Sequence, residues 1–178
     1  MTFRPGDIGF VMHPKSLISR TIAKVMGSKW SHSFMVYDTG RKHYTVETTS
    51  YRVIIGNVEE YTKDKNCSME IWRYMGLIEP FQYMVAEGSY EQYGKLYGYL
   101  QLISLGIRRL LMKFGITIRN FIRTGVVCDQ VVLYGLTKLI DFKDLDPESI
   151  DTEELYQLIT NLPQFKLIYE KKLGEIGA

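Results

Sequence analysis

The sequence has little cysteine, little net charge and no long apolar run, and each shortage excludes something. Its two cysteines, Cys67 and Cys128, cannot form a disulfide scaffold. Neither lies in a C-x-x-C or H-E-x-x-H pattern, and the three histidines, His13, His32 and His43, are scattered. No structural metal site and no cofactor are therefore expected. A formal net charge of +2 gives no global field for a nucleic-acid partner, and none is expected. The uncharged run from Leu96 to Ile107 falls short of the roughly 18 residues a membrane-spanning helix needs. The opening MTFRPGDIGFVMHP lacks the basic start, apolar run and cleavage site of a signal peptide. A protein that is cytoplasmic as synthesised is expected, with any export by another route. Internal repeats and Ser/Pro-rich linkers are also missing.

What is present suits one domain over residues 1–178, long enough to bury a core. Arg4-Pro5-Gly6-Asp7 reads as a turn before a short strand, Ile8 to Met12. SLISRTIAKVMG has the spacing of an amphipathic helix with Ser16 as N-cap and Gly27 as its stop. SHSFMVYDTGRKHYTVETT then reads as a β-hairpin around Asp38-Thr39-Gly40. Tyr51 to Ile55 and Met69 to Tyr74 read as further strands, joined by a polar connection from Asn57 to Lys65, helical or looped. The pattern turns helical over Glu79 to Leu100, one candidate helix with Gly88 as a point of interruption, and over Ile107 to Arg123, one or two helices broken around Gly115. A buried helix begins just after Gly125, a short one covers SIDTEELYQLIT, and Phe165 to Glu170 forms a last strand. Strands first, then helices, then a returning strand imply an α+β fold with an antiparallel sheet.

Three polar groups stand out against this pattern. Cys128 lies in the first turn of its helix, where unpaired N–H groups stabilise an anion and ease ionisation of a thiol. The same groups can hold a developing oxyanion. A thiolate nucleophile needs a proton partner, and His32, entering an apolar strand between two serines, is the best of the three histidines. His13 and His43 read more easily as solvated, and Cys67 as incidental. Glu47 can be tested against His32 by register. If Asp38 pairs with His43 across a four-residue loop, Phe34 faces Glu47, and His32 and Glu47 form a diagonal pair on one face. A loop one residue shorter or longer puts them on opposite faces.

With these residues in view, the chain resembles the circularly permuted papain-like amidases, the permuted branch of the NlpC-type cell-wall peptidase superfamily, related to the lecithin:retinol acyltransferase group. RPGDIGFV, the helix SLISRTIAKVMGSKW running into SHSFMVYD, YTVETTS and GVVCDQVV carry the match. The resemblance implies a permuted papain-like fold: a small antiparallel sheet packed on the cysteine helix, with a helical insertion at about 80–123. It implies Cys128 as nucleophile, His32 as base and Glu47 as its orienter. Gly94-Lys95-Leu96-Tyr97 looks like a family segment, which makes Tyr97 a candidate for oxyanion or substrate binding. Asp129-Gln130 departs from the Ser-Glu usual after the family's cysteine.

The expected function is a cysteine hydrolase, a thiol peptidase or amidase acting on peptidoglycan-type peptides through an acyl-enzyme. The alternatives are a lipid acyltransferase or esterase on the same scaffold, and a catalytically silent binding protein. The expected partner is a peptide or amide substrate such as a cell-wall muropeptide. The basic segment Arg108, Arg109, Lys113, Arg119 and Arg123 reads either as a core-packed helix with solvated cations or as a platform for a lipid or anionic surface.

Overall fold

Alternating apolar residues put Ile8 and Phe10 of strand β1 (Ile8–Met12) on one face and Gly9 and Val11 on the other. Gly9 is required there, because a Cβ would enter the ring of Phe34 on the neighbouring strand. The structure, a computed structural model, describes residues 2–38, 42–118, 120, 122, 124–142 and 145–175. Helix α1 (Leu17–Met26) follows, capped by Ser16 and ended by Gly27 in the left-handed region. Strands β2 (His32–Asp38), β3 (His43–Thr48) and β4 (Val53–Asn57) form a meander. Helix α2 (Val58–Lys63) leads to β5 (Ser68–Tyr74), and β6 (Phe165–Lys171) closes the sheet. The six strands are antiparallel, in the order β4-β3-β2-β1-β5-β6.

Both faces of the sheet are covered. On one, α3 (Glu79–Tyr90), α5 (Cys128–Leu136) and α6 (Thr152–Asn161) bury Phe10, Met35, Val85, Leu133 and Leu155. On the other, Val58 and Tyr61 of α2 pack with Val11, Phe34, Val36 and Met69. Helix α4 (Tyr99–Met112) packs on α1 at the side of the molecule.

Several expectations need correction. The interruption expected at Gly88 falls later: α3 runs through Gly88 to Tyr90, and the break before α4 contains Gly94, whose φ of 79° a side chain would resist. The helix expected to begin at Ile107 begins at Tyr99 and ends at Met112, shortly before Gly115; Arg119 and Arg123 lie outside the described residues, as do Thr39 and Gly40 of the hairpin turn. Of the two forms left open for the Asn57–Lys65 connection, the helical one is found: α2, capped by the Asn57 side chain. The small sheet built on one cysteine helix is instead a six-stranded sheet with apolar clusters on both faces.

Candidate functional site

The β2–β3 register pairs Asp38 with His43 and Met35 with Val46. It sets His32 and Glu47 on one face, and Nε2 of His32 meets Oε2 of Glu47 at 2.8 Å. Glu47 is 5% exposed and also accepts hydrogen bonds from the hydroxyls of Thr45 and Tyr61. Tyr61 is fixed by stacking on Phe34, with ring centroids 5.1 Å apart. Cys128 begins α5 with Val127 as N-cap; its thiol donates to Asp129 Oδ2 at 3.5 Å and lies near enough to His32 to act on the charge of that ring. Sulfur, imidazole and carboxylate thus stand in series, with Tyr61 and Thr45 behind the carboxylate.

The electrostatics follow from this geometry. Burial alone would lower the pKa of His32, but the hydrogen bonds to Cys128 and Glu47, and their charges, raise it to about 10. Burial pushes Glu47 up, yet its hydrogen bond to His32, the imidazolium charge and the two hydroxyls hold it below its ordinary value. A raised histidine pKa stabilises the fold fully below the ordinary value of 6.5, and this is lost as pH rises towards 10. Glu47 has the opposite sign, its contribution being lost as pH falls through its depressed pKa. NMR titration of the His32 ring is expected to give a midpoint near 10 that drops in both Cys128→Ala and Glu47→Gln. A midpoint near 6.5 in the unaltered protein contradicts the arrangement.

Asp129 and Gln130 have structural partners. The buried Asp129 carboxylate accepts from Ser33 Oγ at 2.8 Å and Thr152 Oγ1 at 2.9 Å, and lies 3.5 Å from the Cys128 sulfur. Gln130 accepts from the Val127 N–H and donates to the Glu148 carbonyl. Tyr97 bridges to Val126, and its ring packs against Met26, Leu105 and Val127. Burial, then the charges of Cys128 and Asp129, raise its pKa.

A second cluster lies next to the first and was not visible in the sequence. Register between β1 and β5 pairs Met12 with Ser68, so the residues just beyond, His13 and Cys67, come together. Asp64 and Cys67 bracket the turn between α2 and β5. One ligand atom from each of His13, Asp64 and Cys67 lies within 4.8 Å of the others. The Asn66 N–H occupies Oδ1 of Asp64, and Oδ2 faces Nδ1 of His13 at 3.5 Å. Tyr61 separates the clusters, its ring centroid 6.2 Å from those of His13 and His32.

The donor set suits a borderline-soft divalent ion. Nitrogen, oxygen and sulfur are the zinc ligands, and a tetrahedral ion with bonds of about 2.0–2.3 Å sets its donors roughly 3.3–3.8 Å apart. The His13–Asp64 separation already matches, and the other two need at most about 1 Å of closure. Burial lowers the His13 pKa, which favours the neutral, ligating imidazole. Burial raises the Cys67 thiol, opposed by Lys171. Lys171, 2% exposed, lies 3.3 Å from the Cys67 sulfur and also donates to the carbonyls of Tyr61 and Asp64. An ion at Cys67 therefore shares the sulfur with an ammonium that two carbonyls already hold.

An α+β domain with a six-stranded antiparallel sheet and a His/Asp/Cys donor cluster is the class that fold and site define together. No family model matches the chain, and no curated protein matches it. Among solved structures it is similar to the crystal structure of the metalloprotein YiiX from Escherichia coli O157:H7, DUF1105. The two are 16% identical over 94% of this chain and 97% of that one, with a TM-score of 0.56. At that identity the likeness establishes the fold.

This corrects the amidase reading. The chain is similar to YiiX and not to a permuted papain-like amidase, so the papain-like fold assignment falls with the resemblance. The cysteine-peptidase function, its acyl-enzyme and its peptidoglycan substrate rested on that resemblance and are withdrawn. The His13–Asp64–Cys67 cluster brings together three donor atoms of the kinds that can hold a metal ion. Among the described residues no helix is long and apolar enough to cross a membrane.

Proposed function

We propose that this protein binds a divalent metal ion of the zinc type through His13 Nδ1, a carboxylate oxygen of Asp64 and Sγ of Cys67. The observation that carries the reading is the convergence of three different ligand atoms within 4.8 Å, from the end of one strand and the two ends of a turn. Hard cations such as magnesium and calcium take oxygen ligands, so a nitrogen–oxygen–sulfur set selects against them. The side chains of His13 and Asp64 are about one-third exposed, which leaves a path for entry. Three protein donors leave a tetrahedral ion one open position, where a bound ion supplies Lewis acidity. The YiiX structure, described as a metalloprotein, supports the reading.

Binding must deprotonate Cys67, so it releases a proton and strengthens as pH rises. Equilibrium dialysis against zinc is expected to show one ion per chain. His13→Ala should weaken binding by about tenfold or more, while Cys128→Ala should leave it unchanged. Zinc uptake that His13→Ala does not alter overturns the proposal.

A second reading concerns the neighbouring residues and is favoured by the His32–Glu47 hydrogen bond and the Cys128 thiol beside the ring. Cys128 is proposed to be a reactive thiol beside the charged His32 ring, which Glu47 orients. Iodoacetamide then alkylates Cys128 faster than Cys67, whose thiol burial holds in its neutral form. Equal labelling of the two cysteines contradicts it.

A further inference from the structure

Helices α1 and α4 pack together through Met26 and Leu105, yet their outer faces are strongly apolar. Leu17 and Ile18 of α1 are 73% and 72% exposed; Ile103 and Leu110 of α4 are 58% and 56% exposed; Phe114 beyond α4 is 74% exposed. Between the helices runs a groove of about 550 Å³, lined by aliphatic side chains with Lys24 and Lys113 at its margin. Both helices come from acid-free stretches: residues 8–37 and 92–128 contain no Asp or Glu. Arg20, Lys24 and Lys113 are exposed on this side. Arg108 and Arg109 are not part of it. Arg108 forms a paired contact with Glu154 at 2.9 and 2.7 Å, and Arg109 donates to the Met26 carbonyl and lies 3.7 Å from Asp151.

We propose that the α1–α4 face is a peripheral docking surface for an anionic phospholipid membrane. Charge complementarity selects this occupant. A two-fold dimer through the same face would set cation against cation, because neither helix carries a carboxylate to pair with its copy. Anionic headgroups supply the missing charge, while protruding aliphatic side chains enter the boundary between headgroups and acyl chains. No helix among the described residues can span the bilayer, so the attachment is interfacial. The inference is independent of the metal site.

Co-sedimentation of the full chain with phosphatidylserine–phosphatidylcholine vesicles tests it. Binding is expected at low salt, at least about tenfold weaker on pure phosphatidylcholine and weakened again by high salt. Lys24→Glu combined with Lys113→Glu should reduce it about tenfold or more. Ile103→Ser with Leu110→Ser should weaken it comparably while leaving the thermal midpoint within a few degrees. No sedimentation with the anionic vesicles overturns the proposal, as does binding that neither pair of substitutions alters. A concentration-dependent dimer in ultracentrifugation that the apolar substitutions dissolve overturns it in favour of self-association.

Discussion

Asp7→Ala is expected to destabilise the fold by about 3 kcal/mol, a loss of more than a hundredfold in the folding equilibrium. Asp7 is 1% exposed just before β1, and its carboxylate accepts from Nε and a terminal nitrogen of Arg73 on β5, both at 2.7 Å. The Arg4 N–H adds a third bond at 2.8 Å. Burial raises the Asp7 pKa against the lowering pull of Arg73, so the ion pair is not itself a large source of stability. The loss on truncation comes from stranding Arg73 without its counter-charge. The Arg73 side chain is 16% exposed and can reach some water, which puts the effect at the low end of the 3–5 kcal/mol range. Asp7→Ala with Arg73→Met should therefore recover part of the loss in denaturant unfolding. A double variant less stable than Asp7→Ala would show that Arg73 is not stranded by the truncation, which contradicts this account of the loss.

Gly56→Ala is expected to slow alkylation of Cys128 by about 10- to 100-fold although it lies on β4, away from the sulfur. Gly56 faces Thr45 across the β3–β4 ladder. A Cβ there would collide with the Glu47 carboxylate and the Thr45 hydroxyl, in the space that the carboxylate occupies to reach His32. Glu47 must then swing away, and His32 loses both the bond that orients its ring and part of the charge that raises its pKa. Methyl addition elsewhere in an edge strand costs little, so rate and stability can be read apart. Alkylation at the unaltered rate in a folded Gly56→Ala protein would mean that Glu47 does not govern the thiol.

The legible parts of this molecule are the local ones. Period-two alternation and a short loop determine the β2–β3 register, and the register alone puts His32 beside Glu47. The position of Cys128 at a helix start could be read from Gly125 and the apolar run behind it. The His13–Asp64–Cys67 cluster could not, because it depends on β1 pairing with β5 across more than fifty residues. Asp64-Lys65-Asn66-Cys67 was the available signal, a turn with an acid and a thiol at its ends, but no histidine lies near it in sequence. Arg108 and Arg109 looked free because their acidic neighbours, Asp151 and Glu154, come from the start of α6. The amidase resemblance rested on short motifs, one of which, RPGD, is accounted for by the Asp7–Arg73 pair. Motifs fulfilling structural needs of this kind carry little information about a reaction.

Cobalt(II) absorption measures the metal proposal most directly, because a thiolate bound to cobalt gives an intense sulfur-to-metal charge-transfer band that oxygen and nitrogen ligands do not. Titration of the protein with cobalt is expected to produce that band at one ion per chain. Cys67→Ser should abolish it and Cys128→Ser should retain it. A spectrum without the band, or one that depends on Cys128 and not on Cys67, would contradict metal binding by His13, Asp64 and Cys67.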